Sequence, residues 1–206
     1  MVKHKKVLVD FYAKKNFGDD MFVHLIANRY PNTSFYIYGL EKYIDDFKCV
    51  KNIHVLRDNI IVRLIRKISI SLNGRDIIYK KRASHSDLVL RVGGSIFPEP
   101  KKNCLNQYFK RESQKITDSP KHVILGSNFG PYETKEFLDF WRREFERCSC
   151  VTLRDKASYT LFEDIKTVRY APDILLGINK YLNTKKIKKK ETEKYVAISV
   201  VSKGQD

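Results

Sequence analysis

No run of apolar residues in this 206-residue chain approaches the roughly 18 needed to cross a bilayer as a helix. Cysteine is scarce. Cys49, Cys104, Cys148 and Cys150 show no CxxC pair, and Cys148-Ser149-Cys150 has one residue between its thiols, so the reading is of reduced structural thiols with no disulfide framework or zinc site. Histidines are few. His24, His54 and His85 stand apart, no H-x-x-x-H occurs, and no metal is implied. The chain also lacks G-x-G-x-x-G, which removes the dinucleotide-binding fingerprint, and G-x-S-x-G, which removes the hydrolase nucleophile elbow. Its start, Met1-Val2-Lys3-His4-Lys5-Lys6, passes directly into a strand-like run without a signal-peptide apolar core, so a cytoplasmic location is expected.

With 42% hydrophobic and 31% charged residues, the composition suits one sizeable core. The formal net charge of +16, from 40 Lys and Arg against 24 Asp and Glu, creates a field that attracts phosphates, nucleic acid or anionic lipid without choosing among them. Part of the excess lies in Lys185-Lys186-Ile187-Lys188-Lys189-Lys190, which reads as a solvated linker.

Apolar runs at 6–11, 35–39, 53–56, 87–92, 122–125, 150–153 and 167–170 read as strands, and helical spacing at Met21, Phe22, Leu25 and Ile26 places a helix between the first two. Strand, helix, strand in that rhythm opens a parallel α/β sheet. Ile61, Leu64, Ile65, Ile68 and Leu72 form a second stripe, with Arg63, Arg66 and Lys67 mostly off it. This basic amphipathic helix is read as packing on the sheet, the alternative being contact with an anionic membrane surface or a partner. Residues 98–120 are weakly periodic and read as a loop near Pro98-Glu99-Pro100, the alternative being a helix. The clearest helix spans 133–148, with Phe137, Leu138, Trp141, Phe145 and Cys148 on one side, which makes Trp141 a core residue. After Gly177 the chain turns lysine-rich, and Tyr195 to Val201 is strand-like again. The expected division is a domain over 1–178, a linker over 179–194, and the first strand of an incomplete second domain over 195–206. The alternative is that this last strand completes the first sheet.

Ligands of open parallel sheets sit beyond the carboxyl ends of the strands, and four loops there carry suitable residues. In the first, Asn16 to Asp20, Gly18 permits close approach or a positive φ, while Asp19 or Asp20 can cap the helix. In the second, Gly93-Gly94-Ser95 can turn amides toward an anion. The third, Gly126 to Pro131, offers Asn128 as a donor and Gly130-Pro131 as a turn leading into the helix. In the fourth, Arg154 follows a strand with donors for a carboxylate or phosphate, and Asp155 caps a short helix that includes Ser158.

In this order, Asn16-Phe17-Gly18-Asp19-Asp20, Gly93-Gly94-Ser95-Ile96-Phe97, Gly126-Ser127-Asn128-Phe129-Gly130-Pro131, Val151 to Ser158 and Ala171-Pro172-Asp173 resemble the polysaccharide pyruvyl transferase family. The resemblance covers the chain up to about Ile178. It implies a Rossmann-like, mostly parallel sheet with helices on both faces, forming one half of a two-domain architecture of the GT-B type. It implies transfer of pyruvate as a ketal from phosphoenolpyruvate, the donor substrate with no further cofactor, to a sugar of an exopolysaccharide or of a cell-wall or lipid-linked precursor. Asn16, Gly18, Asp19, Asp20, Gly93, Gly94 and Ser95 would line the acceptor side of the cleft. Arg154 would be the arginine of the family's Arg-Asp motif, with Asn128, Gly130, Asp155, Ser158 and Asp173 beside it.

A histidine from the second domain is the expected acid or base, so this chain is expected to be incomplete as an enzyme and to work at the inner face of a membrane. Ser95 stands where many relatives have a third glycine. Two other functions compete: a glycosyltransferase domain using a nucleotide-sugar, and a basic nucleic-acid-binding module. The last is disfavoured because most of the 12 Tyr and 12 Phe fall inside strand or helix patterns.

Overall fold

Successive side chains of the first strand, β1 (Lys5–Asp10), enter two different cores. Val7 and Val9 pack with Phe22, Val23 and Ile26 of helix α1 (Phe17–Arg29), whereas Leu8 packs with Tyr79 and Ala83 of helix α3 (Ile77–Ser84). A strand buried on both faces belongs inside a sheet covered by helices on each side.

The computed structural model describes residues 5–13, 16–39 and 44–181. The strand expected at 195–201 and the linker from 182 onward lie outside the described residues. Within them the sheet has seven strands in the order β3-β2-β1-β4-β5-β6-β7. The others are β2 (Thr33–Gly39), β3 (Ile53–Arg57), β4 (Leu88–Val92), β5 (His122–Ser127), β6 (Cys150–Leu153) and β7 (Val168–Tyr170). Every pairing of named strands is parallel. The strand order reverses direction between β1 and β4, where Asp10 lies beside Arg91. This is the switch point of a Rossmann-like sheet.

Helices α2 (Ile60–Asn73), α3, α4 (Leu105–Asp118) and α5 (Lys135–Arg147) pack in sequence across one face. On the other face α1 meets a 3-10 turn at Ile174–Gly177 and the short helix α7 (Ile178–Tyr181). The short α6 (Lys156–Thr160) joins β6 to β7 on the α5 side, where Arg142 donates to the Leu161 carbonyl just beyond it. The residues first read as the start of a linker thus open as helix. The core below α5 is aromatic. Trp141 is fully buried with its ring centroid 4.5 Å from that of Phe97, and Phe145 and Phe162 stack edge to face at 4.8 Å. This helix is capped by Thr134, whose hydroxyl accepts from the Phe137 amide, so Pro131 stands several residues ahead of it and does not begin it.

One reading is refined and another overturned. The chain near Pro98-Glu99-Pro100 is a loop as read, and the helix weighed as the alternative beyond it is the fourteen-residue α4, faint in the sequence because its buried face carries Glu112 and the stem of Lys115 among only a few apolar residues. Helix α2 is turned the opposite way from the reading. Its stripe of Ile61, Leu64, Ile65, Ile68 and Leu72 is exposed, and Ser69 is its buried residue. The cause is Asp58, a buried carboxylate that pairs with Arg66 of α2 and Arg82 of α3, each at 2.9 Å. Arg66 also reaches Asp76 at 2.9 Å. An unpaired buried carboxylate is costly, so the arginine face turns inward.

Candidate functional site

The loops after β1, β4 and β6 converge at the switch point on a cleft of about 580 Å³. Asp10, Tyr12, Asn16, Asp19, Arg91, Gly94, Ser95 and Arg154 line it. Arg154 and Ser95 also border a second depression of about 720 Å³, which Asn128, Tyr132, Asp155 and Ala157 line with them. Arg154 therefore stands as a partition between two hollows.

Its position is fixed from three sides. The Arg154 amide donates to the Ser127 carbonyl at 2.9 Å, which continues the β5–β6 pairing past a bulge. At that bulge Gly126 has φ +72°, a conformation that favours glycine, and its amide donates to Thr152 Oγ1 at 2.8 Å. The guanidinium donates from Nη1 to Asp173 Oδ2 at 2.6 Å and from Nη2 to Asn128 Oδ1 at 3.1 Å. Ser95 Oγ donates to the same Asn128 oxygen at 2.9 Å, leaving the Asn128 NH₂ as the group able to donate to a ligand.

Gly94 lies directly beneath the guanidinium. A Cβ there would come within 2.8 Å of Arg154 Nη2, and one on Gly93 within 2.5 Å of Ile96 Cγ2. Neither glycine is among those with positive φ, so both serve close approach. The expectation that this turn offers its amides to an outside anion needs correction, because the Gly94 N–H donates to Asp19 Oδ1 at 3.3 Å. The acceptor it holds is the chain's own carboxyl group.

The first loop also differs from its reading. The cap of α1 is Asn16, whose side chain accepts from the Gly18 amide at 3.1 Å, and not Asp19 or Asp20. Asp20 sits in the first turn, where a carboxylate complements the helix dipole. Gly18 has neither a positive φ nor a close neighbour at its Cβ position. Asp155 does cap α6, accepting from the Ser158 amide at 2.8 Å. Ser158 is buried, with its hydroxyl accepting from the Phe129 amide and donating to Asp155, each at 2.7 Å. It braces the loop, while Gly130, at φ +94°, shapes the same turn and donates to the Phe97 carbonyl at 3.1 Å.

Below the cleft lies a charged layer that sequence reading missed. Asp10 accepts from Lys115 Nζ at 2.8 Å and from the Tyr38 hydroxyl at 2.9 Å, and Arg91 Nη1 donates to Glu112 at 2.5 Å. Arg91 also lies over the rings of Phe97 and Trp141. Burial favours the neutral acid at Asp10, but Lys115 and Arg91 outweigh it and hold the carboxyl well below its usual range. Burial likewise opposes ionisation of Glu112, and Arg91 with Lys115 prevails, drawing it to about 2. Asp19 moves the opposite way. Burial raises its pKa and outweighs the Gly94 amide and Arg154. The signal for Asp10 and Arg91 was their position at the strand ends, six residues before Asn16 and two before Gly93.

His24, half-buried and stacked on Phe47, lies outside the cleft lining, and burial lowers its pKa. His54 stacks on Tyr36. The four cysteines are unpaired, and among the described residues no group of three or more His, Cys, Asp or Glu is placed to hold a metal ion. No helix of the described residues is long and apolar enough to cross a membrane.

A parallel seven-stranded sheet with a charged cleft at its switch point defines a Rossmann-like domain. Comparison with curated proteins finds no match. Residues 16–205 match the family Polysaccharide pyruvyl transferase, and the chain belongs to that family. The match runs past Ile178 and takes in the lysine-rich stretch.

Proposed function

We propose that this chain supplies the Rossmann-like half of a two-domain transferase that moves pyruvate from phosphoenolpyruvate onto two hydroxyls of a sugar in a polysaccharide or its precursor. The observation that carries the reading is Arg154, a guanidinium anchored by Asp173 and Asn128 over Gly94, between two hollows. A donor bearing a carboxylate and a phosphate calls for such a fixed fork, and two hollows suit two substrates. The residues over 195–206 would open the second domain, with the cleft between the two halves.

In the reaction, the donor's methylene carbon gains a proton and becomes methyl, leaving an oxocarbenium-like centre. One sugar hydroxyl adds to it, and its proton passes to the phosphate, which departs with the C–O bonding pair as hydrogenphosphate. The second hydroxyl closes the ketal, its proton balancing the one consumed. Arg154 would offset charge on the donor's carboxylate or leaving phosphate. Among the lining carboxyls, Lys115 and Arg91 hold Asp10 as a fixed negative charge, while burial raises the pKa of Asp19 against the Gly94 amide and Arg154.

Isothermal titration of phosphoenolpyruvate into the chain, Arg154→Ala and Gly94→Ala tests the reading. Binding should weaken by about 100-fold in Arg154→Ala, as expected on losing a charge-assisted pair. Gly94→Ala should weaken it by about tenfold through displacement of the guanidinium. Equal affinity in all three would remove Arg154 from the donor site. Binding of a nucleotide-sugar in place of phosphoenolpyruvate would favour glycosyl transfer.

A further inference from the structure

Helix α2 presents to solvent the side chains that an amphipathic helix ordinarily buries. Ile61 is 67%, Leu64 55% and Leu72 76% exposed, and Ile60, Ile65 and Ile68 continue the stripe along all fourteen residues, a length of about 21 Å. Residues 60–73 contain no Asp or Glu; their charges are Arg63, Arg66 and Lys67. Arg66 faces inward to Asp58 and Asp76, whereas Arg63 and Lys67 are exposed beside the stripe. The adjoining α3 adds an exposed Ile77 and exposed Lys80 and Lys81. Among the described residues nothing covers this face, and a hollow of about 380 Å³ lined by Leu8, Tyr36, Leu56, Val62 and Ile78 lies under the helix. Ion pairs at Asp58 and Asp76, more than apolar packing, hold α2 in place.

A ridge of aliphatic side chains flanked only by cations calls for an occupant that is apolar within and negative at its surface. A second copy would set the two cationic rows against each other. The chain's own residues 182–194 carry six lysines against two glutamates and would repel this face for the same reason. The ridge is free of aromatic anchors, unlike the core of a protein–protein contact. We infer that the outer face of α2 docks on an anionic lipid bilayer, with Ile61, Leu64, Ile68 and Leu72 entering the acyl boundary and Arg63, Lys67, Lys80 and Lys81 meeting the headgroups. This goes beyond the transfer chemistry and does not depend on it.

The test is sedimentation of the full chain with vesicles of phosphatidylcholine alone or of equal parts phosphatidylglycerol and phosphatidylcholine. The double variant Leu64→Gln/Ile68→Gln and the pair Arg63→Gln/Lys67→Gln are compared with it. Only exposed side chains change, and melting curves confirm that both variants fold. The expected result is binding to the anionic vesicles alone, weakened by added salt and reduced at least about tenfold in the apolar variant. The basic variant should lose several-fold. Absence of binding overturns the inference. So does salt-sensitive binding that the apolar variant retains, which would be adsorption of a cationic protein. Self-association abolished by Leu64→Gln/Ile68→Gln, without vesicle binding, would assign the face to a second copy and overturn it too.

Discussion

Helices α2 and α5 lie on the same face of the sheet, and both carry a well-separated apolar side, yet they point those sides in opposite directions. In α5, Phe137, Trp141 and Phe145 enter a core with Phe97, Phe129 and Phe162. In α2 the aliphatic side faces out, and Arg66 and Ser69 face in. The difference lies in what each helix meets on the sheet. Beneath α5 are apolar side chains of β5 and β6, whereas the loop after β3 presents Asp58, which needs cations. Amphipathicity shows that a helix has two sides; the nearest buried charge decides which one is inner.

Substitutions can break this contrast. Trp141→Ala should cost about 3–5 kcal/mol, as removal of a fully buried aromatic does, read as a fall in the urea midpoint. Asp58→Ala should cost about 3 kcal/mol, because it leaves Arg82 and Arg66 without their buried partner. A loss under about 0.5 kcal/mol would mean that apolar contact holds α2 after all.

Acid should act mainly through the buried layer between the two helices. Glu112 titrates at about 2 when folded against an ordinary 4.5, so the unfolded chain takes up its proton first, and the stability it contributes is lost as pH falls from 4.5 toward 2. Asp10 adds to that fall. His122, lowered to about 3 by burial and by Arg91, contributes stability that is full above its ordinary 6.5 and declines below it. Melting temperatures should therefore stay level above pH 6.5 with respect to these groups, decline gently to about 4.5 and steeply below; an acid-independent melt would show that the layer is not ionised as drawn. Leu64→Ala should change stability least, within about 0.5 kcal/mol, since its side chain already meets water.

Much of this was legible beforehand. The seven strands were readable because runs such as Leu88-Val89-Leu90 are apolar on both faces, and the order of the strand-end loops carried the family. Asp155 at the start of α6 and Trp141 in the core were legible from local pattern alone. What escaped was set by pairing across the chain. Glu112 resembles a surface residue until Arg91, 21 positions earlier, is placed beside it. Asp19 resembles a helix cap until Gly94, 75 positions later, offers its amide. Local periodicity carries no information about partners that only the sheet brings together.

The bond between Asp19 and Gly94 gives the cleft a resident competitor. Any ligand oxygen that takes the Gly94 amide replaces one already there, so binding at that point is an exchange of acceptors and not the filling of an empty seat. The displaced carboxyl must then find water or another donor, so a ligand that reaches the floor of the cleft is expected to move the Asp19 side chain as it arrives.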